Sequence, residues 1–161
     1  MRRGSAPRAH AAARGYSLVA LLALMAVLSI GLAVAGPTWA DRKRRERERE
    51  LLHIGALYAQ ALAEYRDSAP GSLKSYPNSL DELLLDRRFV GVRRHLRQLY
   101  PDPLGPATPW GLMYNRDGGI IGVYSQSQDA PLASVPIPLG TLTLPPARRY
   151  SDWKFTPVQP S

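Results

Sequence analysis

Tyr16 to Ala35, YSLVALLALMAVLSIGLAVA, contains no charged residue. An apolar run of about 20 residues is ~30 Å long as a helix, the thickness of a bilayer's hydrocarbon core. In lipid the backbone must satisfy its own hydrogen bonds, which a helix does within one segment. The run therefore predicts a long N-terminal helix whose first half is transmembrane. A short leader with Arg2, Arg3, Arg8 and Arg14 precedes it, and a polar chain follows.

The formal net charge of the 161 residues is +8, and removal of the four leader arginines would leave 8 − 4 = +4. There is no cysteine, which excludes a disulfide framework and thiolate chemistry. Eleven of the 15 prolines lie from Pro101 onward, so that part is expected to form loops and short strands.

The first 40 residues admit three readings. A secretory signal peptide would be cut after Ala33-Val34-Ala35 or Thr38-Trp39-Ala40, although its apolar core is usually only about 7–15 residues long. An uncut signal anchor is the second. The third rests on Arg14-Gly15-Tyr16-Ser17-Leu18-Val19, which resembles the leader junction of type IV pilins and type II secretion pseudopilins. That resemblance implies cleavage between Gly15 and Tyr16 and N-methylation of Tyr16, with the apolar helix kept on the mature chain. Ala20 stands where the family usually has Glu, and a carboxylate in lipid is costly unless paired. Six basic residues between Arg42 and Arg49 pull the orientation rule towards a cytoplasmic C-terminal part. The resemblance implies the opposite, a head in the periplasm and a single pass through the bacterial inner membrane.

Gly36-Pro37 is expected to kink the helix rather than end it. Asp41 to Glu50 reads as a solvated helix surface with pairs such as Arg42–Glu46 and Arg44–Glu48, compatible with a basic collar near anionic headgroups. From Leu51 the apolar residues Ile54, Leu57, Tyr58, Ala61, Leu62 and Tyr65 recur at helical steps, and they need a partner surface. The helix is expected to stop near Arg66, before Asp67-Ser68-Ala69-Pro70-Gly71.

Ser79 and Glu82 form a capping-box pattern opening a short helix. Arg87, Arg88, Arg93, Arg94, His95 and Arg97 read as a solvated helix face, with Phe89, Val90, Leu96 and Leu99 turned inward. Trp110–Tyr114 and Ile120–Ser125 flank Asn115-Arg116-Asp117-Gly118-Gly119 and predict a hairpin. Residues 126–149 read as Pro-rich loop, and Tyr150–Thr156 as a closing strand. The fold class expected is α+β: a long N-terminal helix, transmembrane in its first half, packed on a small head of short helices and an antiparallel sheet. The segments are a leader at 1–15, a transmembrane helix at 16–40, and a head at 41–161 that includes the helix's second half.

Tyr76-Pro77, Leu96-Arg97-Gln98-Leu99 running into Pro101-Asp102-Pro103, Trp110-Gly111 and Val123-Tyr124-Ser125 resemble the head of the major type II secretion pseudopilin. The resemblance implies a pilin-like head. It implies as partners other pseudopilin subunits, a prepilin peptidase and an inner-membrane assembly platform. That family's acid-rich calcium loop is not recognisable at Gln126–Leu132, so no structural calcium is expected.

No catalytic residue and no cofactor is expected. His10, His53 and His95 lack metal-ligand spacing, and no phosphate loop, GxSxG or HExxH motif is present. Asp102, Asp117 and Asp152 lie in or near turns, where Asp is common for local reasons. The function expected is that of a structural filament subunit. The alternatives are a membrane-tethered module that binds DNA through Arg87–Arg97, and a secreted soluble domain. Nucleic acid is not the expected partner.

Overall fold

The computed structural model describes residues 12–71 and 74–157, with 12–15 and 30–38 described by their backbone alone. The chain divides into two compact units, Met1–Lys43 and Arg44–Ser161. Helix α1 runs from Ala12 to Asp67, and its helical assignment is unbroken at Gly36-Pro37.

The expected transmembrane helix is corrected here. Among the described residues, no helix is long and apolar enough to cross a membrane. Helix α1 carries charge immediately past the stretch expected to span, and a charged side chain at bilayer depth is costly. By Asp41 to Glu50 the same helix is dense with charge.

In the second unit α1 behaves as an amphipathic helix. Leu51, Tyr58 and Leu62 are fully buried, and Ile54, Ala61 and Tyr65 nearly so. Burying a side chain of this size stabilises by about 1.5–3 kcal/mol, so this stripe is the main anchor of the fold. Gly55 lets the ring of Phe155 approach the helix backbone, since a Cβ there would lie 2.4 Å from ring carbons. The helix ends at Asp67, and Gly71 takes a φ of 92° that suits glycine.

Two hairpins complete the unit. Strands β1 (Gly111–Tyr114) and β2 (Ile120–Tyr124) pair antiparallel, with an irregularity between Met113 and Tyr114. The Asn115 side-chain oxygen organises their turn, accepting from the Asp117 N–H at 3.0 Å and the Gly119 N–H at 2.7 Å. Strands β3 (Ile137–Leu139) and β4 (Leu142–Leu144) form a second antiparallel ribbon. It lies inside the stretch read as Pro-rich loop. Pro138 is tolerated because both strands of a two-stranded ribbon are edges. Gly140, at φ 61°, supplies the left-handed residue that a tight hairpin needs.

The closing strand expected at Tyr150–Thr156 is replaced by a short 3-10 helix, Tyr150–Asp152, and a single bridge between Phe155 and Val123. The reason is packing. Tyr150, Trp153 and Phe155 all enter the core, whereas strand alternation would put Tyr150 on the face opposite Trp153 and Phe155. Edge-to-face contacts link Tyr58 to Trp110, Trp110 to Phe155 and Tyr150 to Trp153, at 5.5, 6.3 and 5.4 Å between centroids.

Candidate functional site: the processing junction and the polar clusters of the head

The Gly15–Tyr16 peptide lies near the start of α1. Tyr16 is 80% exposed. Proteases engage extended backbone, and helix termini fray more readily than interiors. Glycine lowers the cost of that opening, since it is a poor helix former. Ala20 is exposed, as are its described neighbours through Ser29.

Three buried polar clusters hold the head together. In the first, the Glu48 carboxylate accepts from the Tyr150 hydroxyl at 2.6 Å and from the Leu132 N–H at 2.7 Å. Burial, reinforced by this carboxylate, pushes the Tyr150 hydroxyl up to about 12. Arg44 donates to the Ala130 carbonyl at 2.7 Å. The pairing expected within the helix between Arg44 and Glu48 is thus replaced by ties from each to the loop after β2. The loop's backbone groups have no ladder partner and need these side chains.

In the second cluster, Asp86 is fully buried. It accepts from the Arg88 N–H, Nε and Nη2 at 3.1, 2.9 and 2.7 Å, and His95 Nε2 lies 3.1 Å away. A carboxylate only accepts, so Nε2 carries the proton. The hydrogen bonds from Arg88, aided by His95 and opposed by burial, hold the Asp86 carboxyl well below the usual carboxylate range. Arg88 also donates to the Tyr65 carbonyl at 2.7 Å and lies 3.5 Å from that residue's ring centroid. The Tyr65 hydroxyl donates to Glu82 at 2.5 Å. Burial first, then Glu82, raises its pKa.

In the third, Asp102 is buried and accepts from the Ser125 hydroxyl at 2.6 Å and the Leu104 N–H at 2.9 Å. This pins the end of β2 to the Pro-Asp-Pro loop. Beside it, Tyr58 donates to the Tyr100 carbonyl at 3.0 Å and accepts from the Tyr100 N–H at 2.9 Å.

The turn aspartates do not converge. Asp102 is in the core, Asp117 sits exposed in the β1–β2 turn, and Asp152 accepts from the Arg149 N–H. His53 is exposed, and His10 lies outside the described residues. Among the described residues, no group of three or more His, Asp or Glu could hold a metal ion.

Arg87 to Arg97 is not a helix face. The chain there is irregular, because Asp86 draws Arg88 inward and the Asp86 N–H donates to the Arg93 carbonyl at 2.9 Å. Ser79 caps a 3-10 helix at Leu80–Leu83, accepting from the Asp81 N–H, while Glu82 reaches back to the Asn78 N–H. Asp86 was the residue missed from sequence. Its signal was an acid set beside two arginine pairs, which says nothing of burial. No family model, no curated protein and no solved structure matches the chain.

Proposed function

We propose that the chain is a structural subunit of a type II secretion or type IV pilus-like filament, made as a prepilin and cut between Gly15 and Tyr16. One contrast along α1 carries the reading. Leu51, Tyr58 and Leu62 are buried, whereas Leu18, Leu22, Met25 and Val27 are 60%, 58%, 58% and 66% exposed. Each large apolar side chain left in water forgoes about 1.5–3 kcal/mol. A surface of this kind calls for cover, and the same segment of neighbouring copies supplies it in a filament.

A prepilin peptidase, other pseudopilin subunits and an assembly platform are the partners of this reading, and export of the head to the periplasm belongs to it. The head offers exposed loops on a rigid core, as a decorating domain requires. N-terminal sequencing of the mature chain tests the proposal. The expected product begins with N-methylated Tyr16, and Gly15→Val leaves the leader in place. A product beginning at Gly36 or Asp41 would overturn it.

A further inference from the structure

We propose that Arg87–Arg94, RRFVGVRR, is a preformed loop that docks the head on an anionic lipid surface. This goes beyond the filament reading and does not depend on it. The loop is built as a protrusion with a fixed neck. The Asp86 N–H to Arg93 carbonyl bond closes its base, and the buried Asp86 carboxylate holds the Arg88 N–H and guanidinium. Its tip is aliphatic and bare: Val90 is fully exposed and Val92 is 76% exposed, with Gly91 between them facing open space.

A folded chain gains nothing by holding two valines in water at a point anchored so firmly below. Cations flank the tip in the chain. Arg87 and Arg94 are exposed and make no side-chain hydrogen bond or ion pair among the described residues. Arg93 is exposed and lies over the Phe89 ring at 4.6 Å.

The acids nearby offset this charge only in part. Asp86 is paired with Arg88, and Asp67 is balanced by Arg66 and Lys74. Glu64, Asp81 and Glu82 are bonded by neutral donors and keep their charge. None of these acids lies within Arg87–Arg94 itself.

An apolar tip flanked in the chain by exposed Arg87, Arg93 and Arg94 matches a bilayer interface, where acyl chains lie just beneath anionic headgroups. A nucleic acid fits it less well. Bases stack on exposed aromatic faces, and the loop's one aromatic ring is half-buried and covered by Arg93.

The full chain provides its own test. It has no cysteine, so Val90→Cys labelled with an environment-sensitive fluorophore reports the tip alone. The same label at Val135, another exposed site of the head, is the control. With vesicles containing phosphatidylglycerol, the label at position 90 should shift to the blue and be quenched by lipid-borne quenchers. The label at position 135 should not respond, nor should position 90 with pure phosphatidylcholine vesicles. Adding Arg87→Ser and Arg94→Ser, neither of which touches the neck, should weaken the response about 30-fold. Equal responses at both positions, no response at position 90, or a response to duplex DNA without one to vesicles would each overturn the proposal.

Discussion

Replacing Asp86 by alanine tests the neck of the head most directly. The substitution strands a guanidinium whose side chain is 20% exposed and an imidazole that is 2% exposed. Removing one partner of a buried ion pair costs about 3–5 kcal/mol. Arg88 would keep its bond to the Tyr65 carbonyl and its place over that ring, which points to the low end, about 3 kcal/mol. With a urea slope of about 1.5 kcal/mol per M, the unfolding midpoint should fall by about 2 M. Tryptophan emission in a Trp39→Phe background isolates Trp110 and Trp153, both buried in the head.

The pH dependence gives an independent check on the same residue. The folded-state pKa of Asp86 is depressed. Its stabilisation is therefore complete above the unfolded value near 4 and is lost as pH falls from there towards the folded value. Asp86→Asn should flatten that acid limb. An Asp86→Ala midpoint within about 0.3 M of the parent, or an acid limb unchanged in Asp86→Asn, would refute the assignment of Asp86 as the ion-paired centre of the neck.

Other residues give sharp expectations. Alanine in place of a helical glycine usually stabilises by about 1 kcal/mol. Gly55→Ala should instead destabilise by about 1–2 kcal/mol in urea unfolding, since its Cβ would meet the fully buried Phe155 ring at 2.4 Å. Phe155→Leu in the same chain should recover part of that loss, and strict additivity of the two changes would contradict the contact. Tyr150 has a folded-state pKa raised from 10.0 to about 12. Its contribution is present below pH 10 and is lost as pH rises through that window, because only the unfolded chain ionises there. Alkaline titration followed at the phenolate absorbance should show this residue ionising late, and Tyr150→Phe should reduce the dependence, leaving the share of Tyr58 and Tyr65, whose pKa values are also raised. Glu48→Ala leaves the Tyr150 hydroxyl and the Leu132 N–H without their acceptor, and should cost about 2 kcal/mol in the same unfolding assay.

What could be read from the residues alone was whatever depends on neighbours in the chain. The three- and four-residue spacing from Leu51 to Tyr65 marked the buried face of α1, since helical periodicity is local. Asn115 to Gly119 marked the β1–β2 turn, whose bonds all lie within five residues. Gly15 and Tyr16 were legible as a pattern, and that pattern stands as the proposed junction.

The remainder depended on which distant groups meet. Nothing local to Ile137–Leu144 distinguishes an edge ribbon from a Pro-rich loop; the difference is Leu144 finding the core. Whether Tyr150–Phe155 forms a strand or a 3-10 turn was decided by three aromatic rings entering one interior. Asp86, Asp102 and Glu48 look like ordinary surface acids in sequence. Burial made them structural, because a carboxylate taken out of water must find donors, and those donors are fixed only when the chain has folded around it.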